Sequence, residues 1–496
     1  MRLSDMWDGA EIKDLPAWRS EAPVRGVTCD SRKVAQGFLF AAIPGLTHDG
    51  RDFIPDALDR GAVAVLAPPG TRLPDAYQDI PLLETDNPRR RYALSAARFY
   101  RAQPKTIAAV TGTNGKTSVV HFLRQIWTRS GRRAASAGTL GIQSPVWQKN
   151  EGLTTPDPAD LHADLKHLAE LGVDHLAIEA SSHGLDQFRL DGLEIAAAAF
   201  TNLTRDHLDY HGTEGAYLAA KLRLFQKLIN ENGTAVVCAD DPHAAAVIDA
   251  CWERGLSILT FGREGEVAHI KALSPEGAGQ RLMLDLDGWS HEIFLPLAGA
   301  FQALNVLCAL LLARATGVDG EEALAAIGRI KGVPGRMELI GAKPAKKGTA
   351  GTVYVDYAHT PDALENILTA LRPHAEKSLA VVFGCGGDRD RGKRPEMGRI
   401  AANLAGRVIV TDDNPRSEDP AAIRAEILAA AKGAREIGDR AEAIETAVGE
   451  LGPGDVLVIA GKGHERGQII SGRTEPFDDR EQAREALRRH GWTAEE

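Results

Sequence analysis

Short, almost wholly apolar runs at 106–110, 175–180, 195–200, 234–238 and 257–261 alternate with stretches whose apolar residues recur every three or four positions. Continuous apolar runs suit strands covered on both faces, and the intervening period suits helices. A mostly parallel α/β sheet is therefore predicted over 103–334. Just after the first run, Val119, Val120, Leu123, Ile126 and Trp127 fall largely on one helical face. Between 266 and 295 the texture changes to alternating polar and apolar residues with Gly-rich turns, which predicts an antiparallel addition to that sheet. Runs at 27–32, 37–42 and 62–66, with a helical segment at 90–101, predict a smaller α/β unit ahead of it. Past Gly332-Val-Pro-Gly-Arg336, strands are predicted at 353–357, 379–383, 408–411 and 456–459, each running into a polar or Gly-rich loop. The expected fold is thus α/β in three domains, 1–102, 103–334 and 335–496.

Composition narrows the function. A chain of 496 residues exceeds what one core organises, and 44% hydrophobic with 25% charged residues is ordinary for a globular protein. The formal charge is −10 and no long Lys/Arg block is present, which argues against a nucleic-acid partner. Five scattered cysteines without CxxC spacing argue against a disulfide framework and a structural zinc site. Cys238, Cys308 and Cys385 sit among apolar or glycine neighbours and are expected to be small buried residues. The N-terminal stretch MRLSDMWDGA lacks a signal-type apolar core and no run is long enough to cross a bilayer, so a cytoplasmic chain without membrane insertion is expected.

The chemistry concentrates at strand ends. In Val110-Thr-Gly-Thr-Asn-Gly-Lys-Thr-Ser118 a strand breaks into glycines, a lysine and two hydroxyls before a helix. Glycines let backbone N–H groups close around an oxyanion, Lys116 neutralises it, and Thr117 offers a hydroxyl to Mg²⁺. The longer P-loop pattern has a glycine where this chain has Val110, so the stretch specifies nucleotide phosphate but not which NTPase family. Strand 175–180 ends at Glu179, a carboxylate well placed to hold Mg²⁺ on phosphates. The segment 201–212 carries two histidines and two aspartates within six residues. A transition-metal site is one reading of them; a hard-cation role with His207 as a nitrogen ligand fits the nucleotide loop better. Lys221, in a helical stretch, reads from its neighbours alone as an ordinary exposed lysine. Three loops in the last domain, at 384–395, 411–416 and 460–465, mix arginine with carboxylate, a combination suited to a zwitterionic amino acid.

Together these residues closely resemble the Mur ligase family, ATP-dependent amide-forming enzymes of peptidoglycan precursor synthesis. The resemblance runs through Asp30-Ser-Arg32, His48-Asp-Gly50, Gly112-Thr-Asn-Gly-Lys-Thr117, Thr154-Thr-Pro156, Glu179-Ala-Ser-Ser-His-Gly-Leu185, Asn202 to Gly212, Gly335-Arg336 and Asp356-Tyr-Ala-His-Thr-Pro361. Within the family, Asp413-Asn-Pro-Arg416 looks like the mark of the branch that adds meso-2,6-diaminopimelate. The resemblance implies a UDP-substrate domain, a central P-loop-type ATP domain and a C-terminal Rossmann-like amino-acid domain. It implies ATP as co-substrate, with Gly112, Thr113, Asn114, Gly115, Lys116, Thr117, Ser118, Asn305, Arg336 and Asp356 around it and Lys393 near the phosphates. Thr117, Glu179, His207 and Lys221 would serve Mg²⁺, Lys221 as N6-carboxylysine, and Lys116, Glu179, His207 and Lys221 would form the catalytic set.

For UDP-N-acetylmuramoyl-L-alanyl-D-glutamate the resemblance points to Cys29, Ser31, Thr154, Thr155, Ser181, Gln187 and Arg189, and less distinctly to the loop 45–48. For diaminopimelate it points to Arg389, Asp413, Asn414, Pro415, Arg416, Gly461 and Glu465. The activity implied is amide formation at the D-Glu γ-carboxylate through an acyl phosphate, by a monomer. An L-lysine-adding or other Mur-type ligase, a folylpolyglutamate synthase and a nucleotide-switch protein are the alternatives. The Asp-Asn-Pro-Arg stretch, the first-domain motifs and Glu179 respectively weigh against them.

Overall fold

A computed structural model describes residues 1–7, 21–45, 48–150, 153–204, 206–343 and 351–494. Leu46 and Thr47 of the loop 45–48, and Arg205 of the segment 201–212, lie outside them. The chain divides into two compact units, one of residues 1–260 with 308–320, the other of 261–307 with 321–496.

The first unit holds two sheets. The smaller is a parallel run β1 (Gly26–Thr28), β2 (Phe38–Ala41), β3 (Ala62–Ala67) and β4 (Leu82–Glu84). The strand expected at 27–32 stops at Thr28, because the Asp30 side chain accepts the Arg32 N–H and turns residues 31–33 into a 3₁₀ helix. Helix α1 (Pro88–Tyr100) opens with Asn87 accepting from Arg90 N–H and proline in its first turn, and closes at Arg101 in the left-handed region.

The larger sheet of this unit orders β8 (Gln148–Lys149), β7 (Gly141–Gln143), β6 (Ala134–Gly138), β9 (His175–Glu179), β5 (Thr106–Thr111), β10 (Ile195–Phe200) and β11 (Ile229–Cys238) side by side. From β6 to β11 all pairs are parallel, and the rim strands β7 and β8 are antiparallel. The phosphate-loop strand β5 therefore lies between β9 and β10, with Val110 opposite Glu179 and Thr111 opposite Phe200. That register brings the three candidate loops to one end of the sheet. Helices α2 (Lys116–Arg129), α4 (Ser182–Asp186) and α5 (Glu214–Arg223) follow them, while α3 (Pro158–Glu170) precedes β9.

The second unit begins where the end of β12 (Ser257–Gly262) pairs in parallel with β13 (Ala268–Glu276), which continues into the antiparallel strands β14 (Gly279–Leu286) and β15 (Trp289–Leu295). This is the antiparallel texture read at 266–295. Its main sheet orders β20 (Arg435–Glu436), β19 (Arg407–Val410), β18 (Leu379–Phe383), β21 (Val456–Ala460), β17 (Gly351–Asp356), β16 (Glu338–Lys343) and β24 (Thr493–Ala494). Strands β17 to β21 are parallel, with β16 and β24 antiparallel at one side. Alternate residues of β18 feed separate cores, Val381 and Phe383 on one face and Ala380 and Val382 on the other. Strand order reverses between β18 and β21, and in open α/β sheets such a switch point opens a crevice at the strands' carboxyl ends.

Candidate active site

At the end of β5 the chain turns through Gly112 and Gly115, both at positive φ. A Cβ on Gly112 would collide with Thr201 Oγ1, so the loop is shaped by its neighbour as much as by its own glycines. Asn202 accepts the Asn114 N–H at 2.9 Å and its backbone oxygen accepts the Thr113 N–H at 2.8 Å. Thr201 Oγ1 donates to the Asn114 carbonyl at 2.6 Å. Lys116 Nζ reaches back to the carbonyls of Gly112 and Thr113 at 2.8 and 2.7 Å, and Thr117 and Ser118 are buried in the first turn of α2. A left-handed glycine at the entry of a helix with unbonded N–H groups makes a seat for phosphate.

Glu179 is 1% exposed at the end of β9 and accepts from Thr139 N–H at 2.8 Å and Thr139 Oγ1 at 3.2 Å. Gly138 lets the carboxylate pass, since a Cβ there would stand 2.5 Å from Glu179 Cγ. Lys221 corrects the expectation of an exposed lysine: it is 1% exposed, donates to the Gly112 carbonyl at 2.8 Å and sits 4.3 Å over the Tyr217 ring. Burial, reinforced by Lys116, pushes its ammonium well below the ordinary range, which favours the neutral amine. His207 is held in the left-handed region beside Asp206 (3.4 Å) and edges onto His183 at 4.9 Å. Burial and neighbouring histidines lower the pKa values of His183 and His211.

Among the described residues no group of three or more His, Cys, Asp or Glu side chains is gathered to hold a metal ion. The remaining donors suit a hard cation that keeps several waters and leans on substrate phosphates.

The residues expected at the UDP substrate form a connected series in the same unit. Thr155 Oγ1 donates to the Glu179 carbonyl (3.0 Å) and accepts from Ser181 N–H and Oγ. Arg189 donates to the Thr155 carbonyl at 2.7 Å and to Gln187 Oε1 at 2.6 Å, and Thr154 lies 3.2 Å from Thr139 Oγ1. Cys29 is exposed and donates to Asp157 at 3.2 Å, which also accepts from Tyr92 at 2.7 Å; the protein packed around the thiol and this carboxylate push it up to about 12. A thiol so placed stays protonated, which disfavours a nucleophilic role. Ser31 is buried in the neighbouring 3₁₀ turn.

In the second unit the three loops meet, as their mixture of charges suggested. Gly387 N–H donates to the Asn414 carbonyl at 2.9 Å, and Arg416 Nη1 donates to the Gly387 carbonyl at 2.7 Å. Asn414 Nδ2 donates to Glu465 at 3.1 Å. Gly461 is at positive φ, and a Cβ there would stand 2.6 Å from Asp413 Oδ2. Asp413, Asn414 and Pro415 are buried, whereas Arg389 is exposed. Arg416 itself adopts a positive φ, rare for a side-chain-bearing residue and often seen at functional sites. Elsewhere in this unit Asp356 accepts from Met337 and Ala358 N–H groups (2.6 and 2.7 Å), and its burial raises its pKa. Arg336 lies 4.6 Å over the Tyr357 ring, Lys393 donates to the His359 carbonyl at 2.8 Å, and Asn305 donates to Gln302 at 3.1 Å.

Sequence reasoning passed over three supports. Thr139 anchors Glu179, Asn202 anchors the phosphate loop, and Lys462, 0% exposed, donates to Asn414 Oδ1 at 2.9 Å. Lys221's burial had a signal: Tyr217, Ala220 and Leu224 put position 221 in the helix's buried stripe.

A phosphate loop flanked by a buried carboxylate and a buried lysine, in a chain that also carries a charge-balanced strand-end crevice in a second unit, defines a nucleotide-using enzyme. Three family domains match the chain: Mur ligase family, catalytic domain over residues 23–100, Mur ligase middle domain over 110–313, and Mur ligase, glutamate ligase domain over 335–463. The chain belongs to the Mur ligase family and is a ligase.

It is 52% identical to UDP-N-acetylmuramoyl-L-alanyl-D-glutamate--2,6-diaminopimelate ligase of Brucella melitensis, over 95% of this chain and 96% of that one. It is 51% identical to the protein of the same name from Caulobacter vibrioides, over 98% of each. A solved structure of such a ligase superposes with a TM-score of 0.74 at 35% identity, over 99% of this chain and 100% of that one. A folylpolyglutamate synthase from Mycobacterium tuberculosis, complexed with ADP, shares the fold at 21% identity and a TM-score of 0.59, over 74% of this chain and 92% of that one.

Proposed function

We propose that this ligase joins meso-2,6-diaminopimelate to the D-Glu γ-carboxylate of UDP-N-acetylmuramoyl-L-alanyl-D-glutamate, using ATP, in the cytoplasm. The observation that carries the reading is the crossing of Asn414, Arg416 and Glu465 at the switch point, in a chain about half identical to ligases of that name. Arginine's fork suits a carboxylate and Glu465 an ammonium, so the crevice fits the head group at the far stereocentre of diaminopimelate.

ATP phosphates lie against residues 112–118, where Lys116 exchanges its loop carbonyls for phosphate oxygens. The γ-carboxylate attacks the γ-phosphorus, the bond to ADP breaks, and Lys116 and the loop N–H groups stabilise the charge on the transferring group. Diaminopimelate's free amine then attacks the acyl phosphate carbonyl. The tetrahedral intermediate loses phosphate and a proton, leaving the amide. Water must be kept from the acyl phosphate meanwhile, or it hydrolyses.

Thr117, Glu179 and His207, with Lys221 as a carbamate, would hold Mg²⁺, which when bound neutralises phosphate charge. The buried, deprotonation-prone Lys221 amine suits that modification: its nitrogen bonds to the carbon of CO₂, loses a proton and becomes an anionic oxygen ligand.

Phosphate release measured while omitting each substrate in turn tests the reading. Steady turnover is expected only with ATP, the UDP-dipeptide and diaminopimelate together. Release independent of the UDP-dipeptide and the amino acid would point instead to a nucleotide switch.

A further inference from the structure

Lys462 lies between Gly461 and Gly463 in the loop after β21, and its side chain is fully buried. Its ammonium donates to Asn414 Oδ1 at 2.9 Å and lies 3.4 Å from Glu465 Oε2. The same Asn414 oxygen accepts the Ile469 N–H at 3.0 Å, and Asn414 Nδ2 donates to Glu465 Oε2 at 3.1 Å. An ammonium can only donate, and so can a backbone N–H; the amide therefore has one satisfied orientation, oxygen toward Lys462 and NH₂ toward Glu465. Each NH₂ carries two donors, and one remains for a ligand's acceptor.

The Lys462–Glu465 ion pair, buried at the lysine and 36% exposed at the carboxylate, contributes little net stability, since desolvating the ammonium offsets the attraction and an apolar side chain of like size is often as good. What Lys462 adds is the orientation it imposes on the Asn414 amide. It also balances charge: with Glu465 beside it and Arg440 bonded to Asp479, both fully buried, the loop walls present near-neutral sets to an incoming molecule. Asp413 and Arg416 complete that surround. A zwitterionic head group is itself neutral, whereas L-lysine brings a bare ammonium to the same place.

We propose that Lys462 is a positioning residue for amino-acid selection: it holds the Asn414 amide with its NH₂ toward the substrate's distal carboxylate and keeps the crevice neutral, favouring a zwitterionic end over a cationic one. The proposal rests on the diaminopimelate reading above. If the wild-type protein does not use diaminopimelate, that reading fails; the following measurements concern Lys462 alone.

The test is steady-state phosphate release by the full chain and its Lys462→Met variant, with diaminopimelate or L-lysine as acceptor, accompanied by melting curves. Expected is a KM for diaminopimelate at least tenfold higher, with KM for ATP and for the UDP-dipeptide within twofold of wild type. The kcat/KM preference for diaminopimelate over L-lysine should narrow at least tenfold. In an Asn414→Ala background the same substitution should raise the diaminopimelate KM less than threefold, because its effect passes through that amide. If Lys462→Met does not fold, Lys462→Gln replaces it, with at least a threefold rise and the same narrowing expected. Equal losses with both amino acids, or an effect undiminished in the Asn414→Ala background, would overturn the proposal.

Discussion

Replacing Gly138 by alanine isolates the placement of Glu179. Gly138 ends β6 without a positive φ, so the methyl group adds bulk and no backbone strain. Its Cβ would stand 2.5 Å from Glu179 Cγ and closer still to the carboxyl group, well inside van der Waals contact. The glutamate must swing aside and give up both bonds from Thr139. A hydrogen bond to a charged group contributes about 1.5–3 kcal/mol, so the pair is worth about 3–6 kcal/mol in holding the carboxylate. If half or more of that is felt in phosphoryl transfer, kcat falls about 10- to 10⁴-fold, at about 1.4 kcal/mol per factor of ten.

The assay is phosphate release at saturating substrates beside Glu179→Gln, with Gly215→Ala as control. A Cβ on Gly215 meets nothing within 4 Å, so that variant should keep full kcat. A Gly138→Ala protein with more than half the wild-type kcat would refute the argument that the buried carboxylate must sit where β9 leaves it.

Arg416→Ala should abolish diaminopimelate addition while leaving ATP affinity, read by nucleotide titration, unchanged. Asn202→Ala removes the 2.9 Å bond to Asn114 N–H and the 3.3 Å bond to its carbonyl, and should raise KM for ATP about tenfold, corresponding to about 1.4 kcal/mol. His162 is 2% exposed, and burial, against a backbone hydrogen bond with Asp191, lowers its pKa to about 4. In the pH window from about 6.5 down to about 4 the unfolded chain binds this proton and the folded chain does not, so stability falls as pH falls. Melting curves of His162→Gln should show a shallower acid decline than wild type.

Much of the fold was legible because parallel strands buried on both faces leave continuous apolar runs: β5, β9 and β10 fall within a residue of the expected spans. β6 escaped notice because Ala134-Ala-Ser-Ala-Gly138 is small and weakly apolar; its strand character comes from pairing with β9. The chemistry of Glu179 and of residues 112–118 follows from local order, a strand ending in the groups that phosphate needs. Lys221 and Lys462 are different: Tyr217, Ala220 and Leu224 place position 221 in a buried stripe, but nothing local to either lysine names the group that receives its N–H. Each is held by a partner far along the chain, the Gly112 carbonyl for one and Asn414 for the other. Thr139's hold on Glu179 likewise spans 40 residues. Such supports belong to tertiary geometry, which periodicity does not encode.

The most direct test of the central claim compares meso-diaminopimelate with L-lysine as acceptors for the wild-type chain, by kcat/KM in phosphate release and by mass of the UDP-linked product. A site that leaves Arg416 and Asn414 unpaired with lysine predicts a preference of about 10⁴-fold for diaminopimelate. An equal or greater kcat/KM with L-lysine would contradict it.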